Sequence, residues 1–429
     1  MLGSWLLVFS VFFSAASLSA EDNAAHTSGK QPRSATAEVN HPKHRRTPFV
    51  LLVSLDGFRA DYLDRYDLPN FRRLMREGAR AQGLIPVFPS VTRPNHYSIV
   101  TGLYPERHGI VGHWFYDPDR EEVFDNQTQT DATWYRGDPI WAVAERHGML
   151  TACYFWVGCG AKAIKIPQTV PTSFDSTAAN EVRVDQVLSW LQLPDAQRPH
   201  FLTLYIGDVD DAGHEFGPDS PELQIAVEKV DRELGRLLSG LDTLEHRHQI
   251  YVIVVSDHGM AHADPKNFVW MDDLGSEDGV FKDGVWMGTL ATVANLHLIR
   301  GKSDAVTVRD QINRRLKQGK AFLREDTPAS LHYRKDPRIG DVVVLMDRPY
   351  LIFWKGSQPV TLRGEHGWNT SDPDMHGIFL ARGPGIKRGS QISAFENVDI
   401  YPFIAELLNL KISQDIDGHP HRLKHLIME

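Results

Sequence analysis

A chain of 429 residues is long enough for one large domain with an insertion, or for two domains. Hydrophobic residues make up 42% and charged ones 24%, a balance that excludes a disordered or fibrous chain and suits a soluble globular enzyme. The formal net charge of −9, with no basic run to track a phosphate backbone, argues against specific nucleic-acid binding, so a small anionic ligand would need local cations, metal ions among them.

The stretch from Leu2 to Ala16 is apolar, small residues follow to Ala20, and acidic Glu21 and Asp22 come next. This predicts a secretory signal peptide over 1–20, too short to span a membrane, and a periplasmic or secreted protein. No other segment is apolar enough to cross a bilayer. Residues 21–47 are rich in Ser, Thr, Pro, Asn, His and basic residues without a hydrophobic period, which predicts a mobile linker. Cys153 and Cys159 are the only cysteines. No disulfide framework is possible, although the two could pair with each other in an exported protein.

Phe49–Leu55 is a continuous apolar run ending in Asp56-Gly57, the pattern of a parallel strand buried on both faces. Pro69–Glu77 has the spacing of a short amphipathic helix closed by Gly78. Pro94 at a first turn and Gly102 at an end predict a helix with Thr92 at its N-terminus. A hydroxyl there faces unpaired N–H groups, an environment that favours an alkoxide and a phosphate; a threonine that merely caps the helix gives the same pattern. Strands are predicted over 150–157, 201–206 and 250–256, and helices over 140–147, 182–193 and 221–241. The rhythm turns to short mixed segments over 269–353, with one helix at 308–317, which predicts an inserted subdomain. The main pattern returns with a strand at 377–381 and a helix at 399–408. The fold class is therefore α/β, a mostly parallel central sheet flanked by helices, its core formed by 48–268 and 354–429. Ligands bind such sheets beyond the carboxyl ends of the strands.

Asp56, Asp210 with His214, Asp257 with His258, and His366 fall just after predicted strands or turns. Any one of them alone is ordinary, since an Asp at a strand end is commonly a turn residue and a lone His commonly satisfied by hydrogen bonds. Taken together with Ser54-Leu-Asp56-Gly-Phe58-Arg59, Thr92-x-Pro94-Asn95-His96-Tyr97, Thr101-Gly-x-x-Pro105, Asp210-x-x-Gly213-His214, Ser256-Asp257-His258-Gly259 and His366-Gly367, they form an ordered set. Over Phe49 to about Leu426 that set resembles the nucleotide pyrophosphatase/phosphodiesterase family of the alkaline phosphatase superfamily. The resemblance implies two zinc ions, one held by Asp56, Asp257, His258 and the Thr92 hydroxyl, the other by Asp210, His214 and His366. It also implies Thr92 as nucleophile and a threonyl-phosphate intermediate. Mixed carboxylate and imidazole donors suit zinc, and a pair of ions can clamp the entering and leaving oxygens of an in-line displacement.

Two positions depart from the family pattern. His113 stands where the family carries an asparagine that binds phosphate, and Arg93 follows the nucleophile where an aromatic often stacks on the nucleobase. Arg93 could keep a stacking contact or bind phosphate instead. Trp156, Phe174 and Tyr205 are the remaining candidates for the base slot, each with core packing as the alternative. Asp372, Asp374 and His376 could support the metal ligands or form a solvated turn. The implied activity is hydrolysis of nucleotide diesters or pyrophosphates to nucleoside 5′-monophosphates. A lysophospholipid or choline-phosphodiester hydrolase would share the same metal chemistry, and an inactive binding protein would have lost ligands that are all present here. The residue destined for aldehyde conversion in a sulfatase is absent from 91–94.

Overall fold

The computed structural model describes residues 39–161, 170–171, 174–275, 285–287, 291–298, 304–355 and 362–428. The leader and the first part of the linker expected from the sequence, to residue 38, lie outside the described residues. The central sheet has eight strands: β1 (Phe49–Leu55), β2 (Ala79–Ala81), β3 (Thr151–Tyr154), β4 (Val170–Pro171), β5 (Phe201–Ile206), β6 (Ile250–Val255), β7 (Phe379–Arg382) and β8 (Ser390–Ile392), in the order β8-β2-β7-β6-β1-β5-β3-β4. Only β7 runs against its neighbours; every other pairing is parallel.

The continuous apolar runs are explained by what covers them. Along β1, Val50 and Leu52 enter one core while Phe49, Leu51, Val53 and Leu55 enter the other. The first core is closed by helices α2 (Thr92–Thr101), α3 (Ile140–Arg146) and α7 (Ile400–Leu407). Helices α1 (Pro69–Glu77), α4 (Asn180–Leu191) and α6 (Pro221–Asp242) close the second. Each fully buried Val or Leu contributes ~1.5–3 kcal/mol, so a sheet covered on both faces is a stiff base for whatever projects from its edge. A smaller sheet of four strands, spanning Val285–Met287, Val293–Leu298, Gly319–Leu323 and Val342–Met346, packs with the helix Ala305–Arg315 around a core of its own.

Two details differ from expectation. The end of the expected linker is docked: Asn40 is buried, donates to the carbonyls of Asp195 and Arg198 at 3.2 and 2.7 Å, and accepts the Leu150 N–H at 2.7 Å. His44 is buried as well, with Nε2 2.8 Å from the His147 carbonyl. A polar segment can be ordered by buried backbone partners without any hydrophobic period of its own. The second difference is a helix, α5 (Asp208–Phe216), immediately after β5. Asp208, Asp210 and Asp211 in its first turn suit the positive end of the helix dipole, but Gly213 and the lack of an apolar stripe hid it.

Candidate active site

The register of the sheet builds half of the site. Ser54 of β1 lies opposite Val255 of β6, so the residues two further on, Asp56 and Asp257, emerge side by side at the carboxyl edge. The Gly57 N–H donates to Asp257 Oδ1 at 3.3 Å. Gly57 has φ +66°, and a side chain there would lie 2.8 Å from the Asp210 Cα, so only glycine lets β1 turn beneath α5. His258 follows Asp257, with Nε2 3.0 Å from Asp257 Oδ2 and 3.4 Å from Asp56 Oδ1.

The other half comes from α5 and a two-stranded ribbon, Ala261–His262 paired with Gly364–Glu365. Asp210 and His214 are one helical turn apart and share a face, 3.5 Å from Oδ2 to Nε2. His366, just past the ribbon, places Nε2 3.1 Å from His214 Nε2 and 3.6 Å from Asp210 Oδ1. The rings of His258 and His366 stack at 3.5 Å and 14°, which joins the halves.

Whether a cation fits can be read from the protons. Each imidazole spends Nδ1 on a main-chain carbonyl: His214 on Gly364, His258 on Gly259 and His366 on Ser90, at 2.8 to 2.9 Å. Each Nε2 therefore points its lone pair into the site. Asp56 Oδ1, Asp210 Oδ1 and Asp257 Oδ2 are buried there without a hydrogen bond. Lone pairs facing lone pairs at these distances repel unless a positive charge lies between them. With protons alone to supply it, burial and the neighbouring Asp257 and Asp210 push the Asp56 carboxyl well above its usual range. Burial opposes a charged His258, but Asp257 overrides it and lifts the imidazole to about 9. The donor atoms of Asp56, Asp257 and His258 converge within 4.8 Å of one another, as do those of Asp210, His258 and His366. The set has oxygen and nitrogen donors, hard and borderline, as zinc prefers.

Thr92 opens α2, whose residues from Pro94 to Thr101 are all buried, while Thr92 and Arg93 remain partly accessible. Val91 is the N-cap and no side chain caps the helix. The Thr92 hydroxyl is thus not spent on capping; it lies 3.2 Å from His258 Nε2, facing the cluster. His96, one turn on, is fully buried and braces this geometry, with Nε2 2.8 Å from Ser54 Oγ, Nδ1 2.9 Å from the Thr92 carbonyl and 3.4 Å from Asp257 Oδ2.

The other candidates separate. Tyr205 donates its hydroxyl to Asp56 Oδ2 at 2.6 Å, and its ring lies 6.1 Å from that of Phe174, which is 66% exposed. Trp156 is buried, donates its indole N–H to the His96 carbonyl at 2.9 Å and meets the His96 ring edge-on, so it supports α2 from behind and does not line a slot. His113 is half-buried beside Trp114, and burial, reinforced by the charge of Arg93, pushes its imidazole down to about 3. It is neutral, which removes the charge-assisted contact that a protonated ring would offer. Arg93 turns back to the His113 carbonyl at 2.5 Å and to Asn126 Oδ1, over the Phe124 ring. Asp372 and Asp374 pair with Arg348, and Asp374 also with Arg59, while His376 bonds the Thr370 carbonyl. These three are turn and surface residues. Sequence reasoning overlooked Glu365, a buried carboxylate whose Oε1 lies 3.8 Å from His366 Nε2 and which groups with His214 and His366. Its position next to His366 was the available signal.

The model of the type I phosphodiesterase/nucleotide pyrophosphatase family matches residues 50–369, three quarters of the chain, a span that contains every candidate ligand and Thr92. The chain belongs to that family. Type I phosphodiesterase relatives include a venom phosphodiesterase of Naja atra, 33% identical over 88% of this chain and 46% of its own length. Human ectonucleotide pyrophosphatase/phosphodiesterase family member 1 is 32% identical over 93% of this chain and 44% of its own. The chain thus spans about half the length of these curated relatives. Among solved structures, human ectonucleotide pyrophosphatase/phosphodiesterase 5 superposes with a TM-score of 0.83 at 29% identity, covering 88% of this chain and 99% of its own. The murine counterpart, an inactive threonine-to-alanine variant in complex with AMP, superposes with a TM-score of 0.82 at 28% identity, covering 89% and 100%. The alkaline-phosphatase-like α/β fold expected from the sequence is the fold of these neighbours.

Proposed function

We propose that this protein is a metal-dependent phosphodiesterase/nucleotide pyrophosphatase that releases nucleoside 5′-monophosphates through a phosphothreonine at Thr92. The observation that carries the reading is the uncapped Thr92 hydroxyl facing His258 at the mouth of the cluster. Asp56, Asp257, His258 and the Thr92 hydroxyl would hold one divalent cation, and Asp210, His214 and His366 a second, zinc being the ion that the donor set suits. Bound there, the pair supplies Lewis-acid charge for both oxygens of an in-line displacement. Thr92 Oγ attacks phosphorus, the leaving oxygen departs opposite and takes up a proton, and water then frees the monophosphate and restores the hydroxyl. Two inversions leave the configuration at phosphorus retained. His96 and Tyr205 keep Thr92 and Asp56 in place, the neutral His113 offers an N–H to a phosphoryl oxygen, and Phe174 with Tyr205 forms a wall on which a base can stack. The AMP complex of the murine relative supports a nucleotide substrate. The bonded Cys153–Cys159 pair supports an oxidising, exported location, periplasmic or secreted, and no helix among the described residues is long and apolar enough to cross a membrane.

Thr92→Ala is the test. Turnover of p-nitrophenyl thymidine 5′-monophosphate should fall by roughly three to five orders of magnitude with metal content kept; full activity would remove Thr92 from the mechanism. The wild-type protein is measured alongside on p-nitrophenyl phosphorylcholine, and turnover confined to that compound would assign the choline-diester activity instead.

A further inference from the structure

Arg93 is held without a carboxylate in contact with it. It is the residue after the proposed nucleophile and half-buried, and its guanidinium is held by two neutral acceptors, the His113 carbonyl and the Asn126 amide oxygen, against the face of Phe124. Among the described residues no carboxylate forms an ion pair with it, whereas Arg59 and Arg348 each meet aspartates. Neutral acceptors fix a guanidinium without cancelling its charge, and Asp125 acts on it without forming an ion pair. The fork is therefore locked in place and still cationic. The segment that holds it also carries His113, whose imidazole makes no hydrogen bond among the described residues and is left free for a ligand at the cluster.

A simple nucleotide diester brings one negative charge to such a site. A nucleoside polyphosphate brings further charges on the phosphoryl groups next to the scissile one, and a fixed, unpaired cation close by would act on those charges. Resting on the function proposed above, we infer that Arg93 is a specificity-determining residue that selects phosphoanhydride substrates, nucleoside polyphosphates, over diesters with an uncharged leaving group. Asn126 and the His113 carbonyl are its positioning partners. The Phe124 ring lies under the guanidinium and covers that face of it.

The experiment compares kcat/KM for ATP and for p-nitrophenyl thymidine 5′-monophosphate in the zinc-loaded wild-type protein, Arg93→Gln, Arg93→Lys and Asn126→Ala. Arg93→Gln should lower the ATP-to-diester ratio about tenfold or more, mainly through KM for ATP. Arg93→Lys keeps the charge without the fork and should recover part of that loss; Asn126→Ala, which frees the guanidinium, should fall between. Calorimetric binding of inorganic pyrophosphate should weaken about tenfold in Arg93→Gln and grow less sensitive to salt. An unchanged ratio, or equal losses on both substrates with unchanged pyrophosphate binding, overturns the inference. Should Arg93→Gln not fold, the Lys and Asn126 variants decide by the same ratio. If the wild-type protein turns over neither nucleotide, the functional reading itself has failed, and pyrophosphate binding still reports on the charge of Arg93.

Discussion

The two halves of the metal-ligand cluster are built by different means. Asp56, Asp257 and His258 project from adjacent parallel strands, and their side chains are at most 2% exposed. Asp210, His214 and His366 come from a helix and a short ribbon, and the side chains of Asp210 and His214 are 17% and 27% exposed. Sheet register sets the first half. The second depends on α5 approaching the ribbon so closely that a side chain at Gly364 would lie 2.3 Å from the Gly213 carbonyl. One half is rigid and dry, the other open to water and substrate. That division suits a mechanism in which the proposed nucleophile, Thr92, is held against the buried half and a water enters at the open one.

The sharpest way to break this contrast is to remove one ligand from each half. Asp257→Asn should abolish turnover, by roughly three orders of magnitude or more, and lower the bound metal, because at a position so enclosed nothing replaces the lost negative charge. His214→Gly should cost less, and added imidazole should restore activity and metal content. His258→Gly should show no such rescue, since its ring is enclosed and stacked on His366. Equal rescue at both positions, read by metal analysis and turnover, would mean that the halves do not differ in access.

Smaller effects are expected from two residues at the edge of the ligand set proposed above. Tyr205→Phe removes the hydroxyl donated to Asp56, and Glu365→Gln removes the charge beside His214 and His366. Each should weaken metal binding by about tenfold to a hundredfold. The first should affect the buried half and the second the open half; if two metal equivalents bind as proposed, a chelator should remove a different one first in each variant. Loss of the same equivalent in both variants would show that the two halves bind as one.

The contrast also explains what could be read from the chain beforehand. Asp56, Asp257 and His258 stand at the ends of continuous apolar runs, so strand pattern and motif coincide and both point to the carboxyl edge. Thr92 could be placed at a helix N-terminus, but whether its hydroxyl capped the helix or faced the cluster depended on Val91 and His258, which are remote from each other in sequence. Glu365 and the brace formed by Ser54, His96 and Trp156 went unseen because their roles exist only as contacts between distant elements. The burial of Trp156 could not be read for the same reason: an aromatic beside a motif reads alike whether it faces a slot or supports a helix. The α5 helix was hidden by a run of acids and a glycine that its packing requires.

The same helix that presents Thr92 carries, at its other end, the smallest effect of the series, and one that concerns stability instead of chemistry. His108 is fully buried behind α2, with Nε2 2.9 Å from Ser98 Oγ, and its Nδ1 accepts the Ile110 N–H at 3.1 Å. That acceptance requires the neutral ring. Burial, reinforced by the charges of Arg136 and Arg338 and opposed by the Pro94 carbonyl, lowers its pKa from 6.5 to about 3. Above about pH 6.5 the ring is neutral folded or unfolded, and stability does not depend on it. Below that, the unfolded chain takes up a proton that the folded one refuses until about pH 3, so stability falls with pH by at most ~1.4 kcal/mol per unit. Urea unfolding of the wild type and His108→Gln between pH 7 and 4 isolates this contribution. The variant starts less stable, because a buried ring is replaced, but its stability should decline less steeply from pH 6 to 4. Parallel declines would mean that His108 can take up its proton without opening α2, and that the closed end of the site is softer than its burial implies.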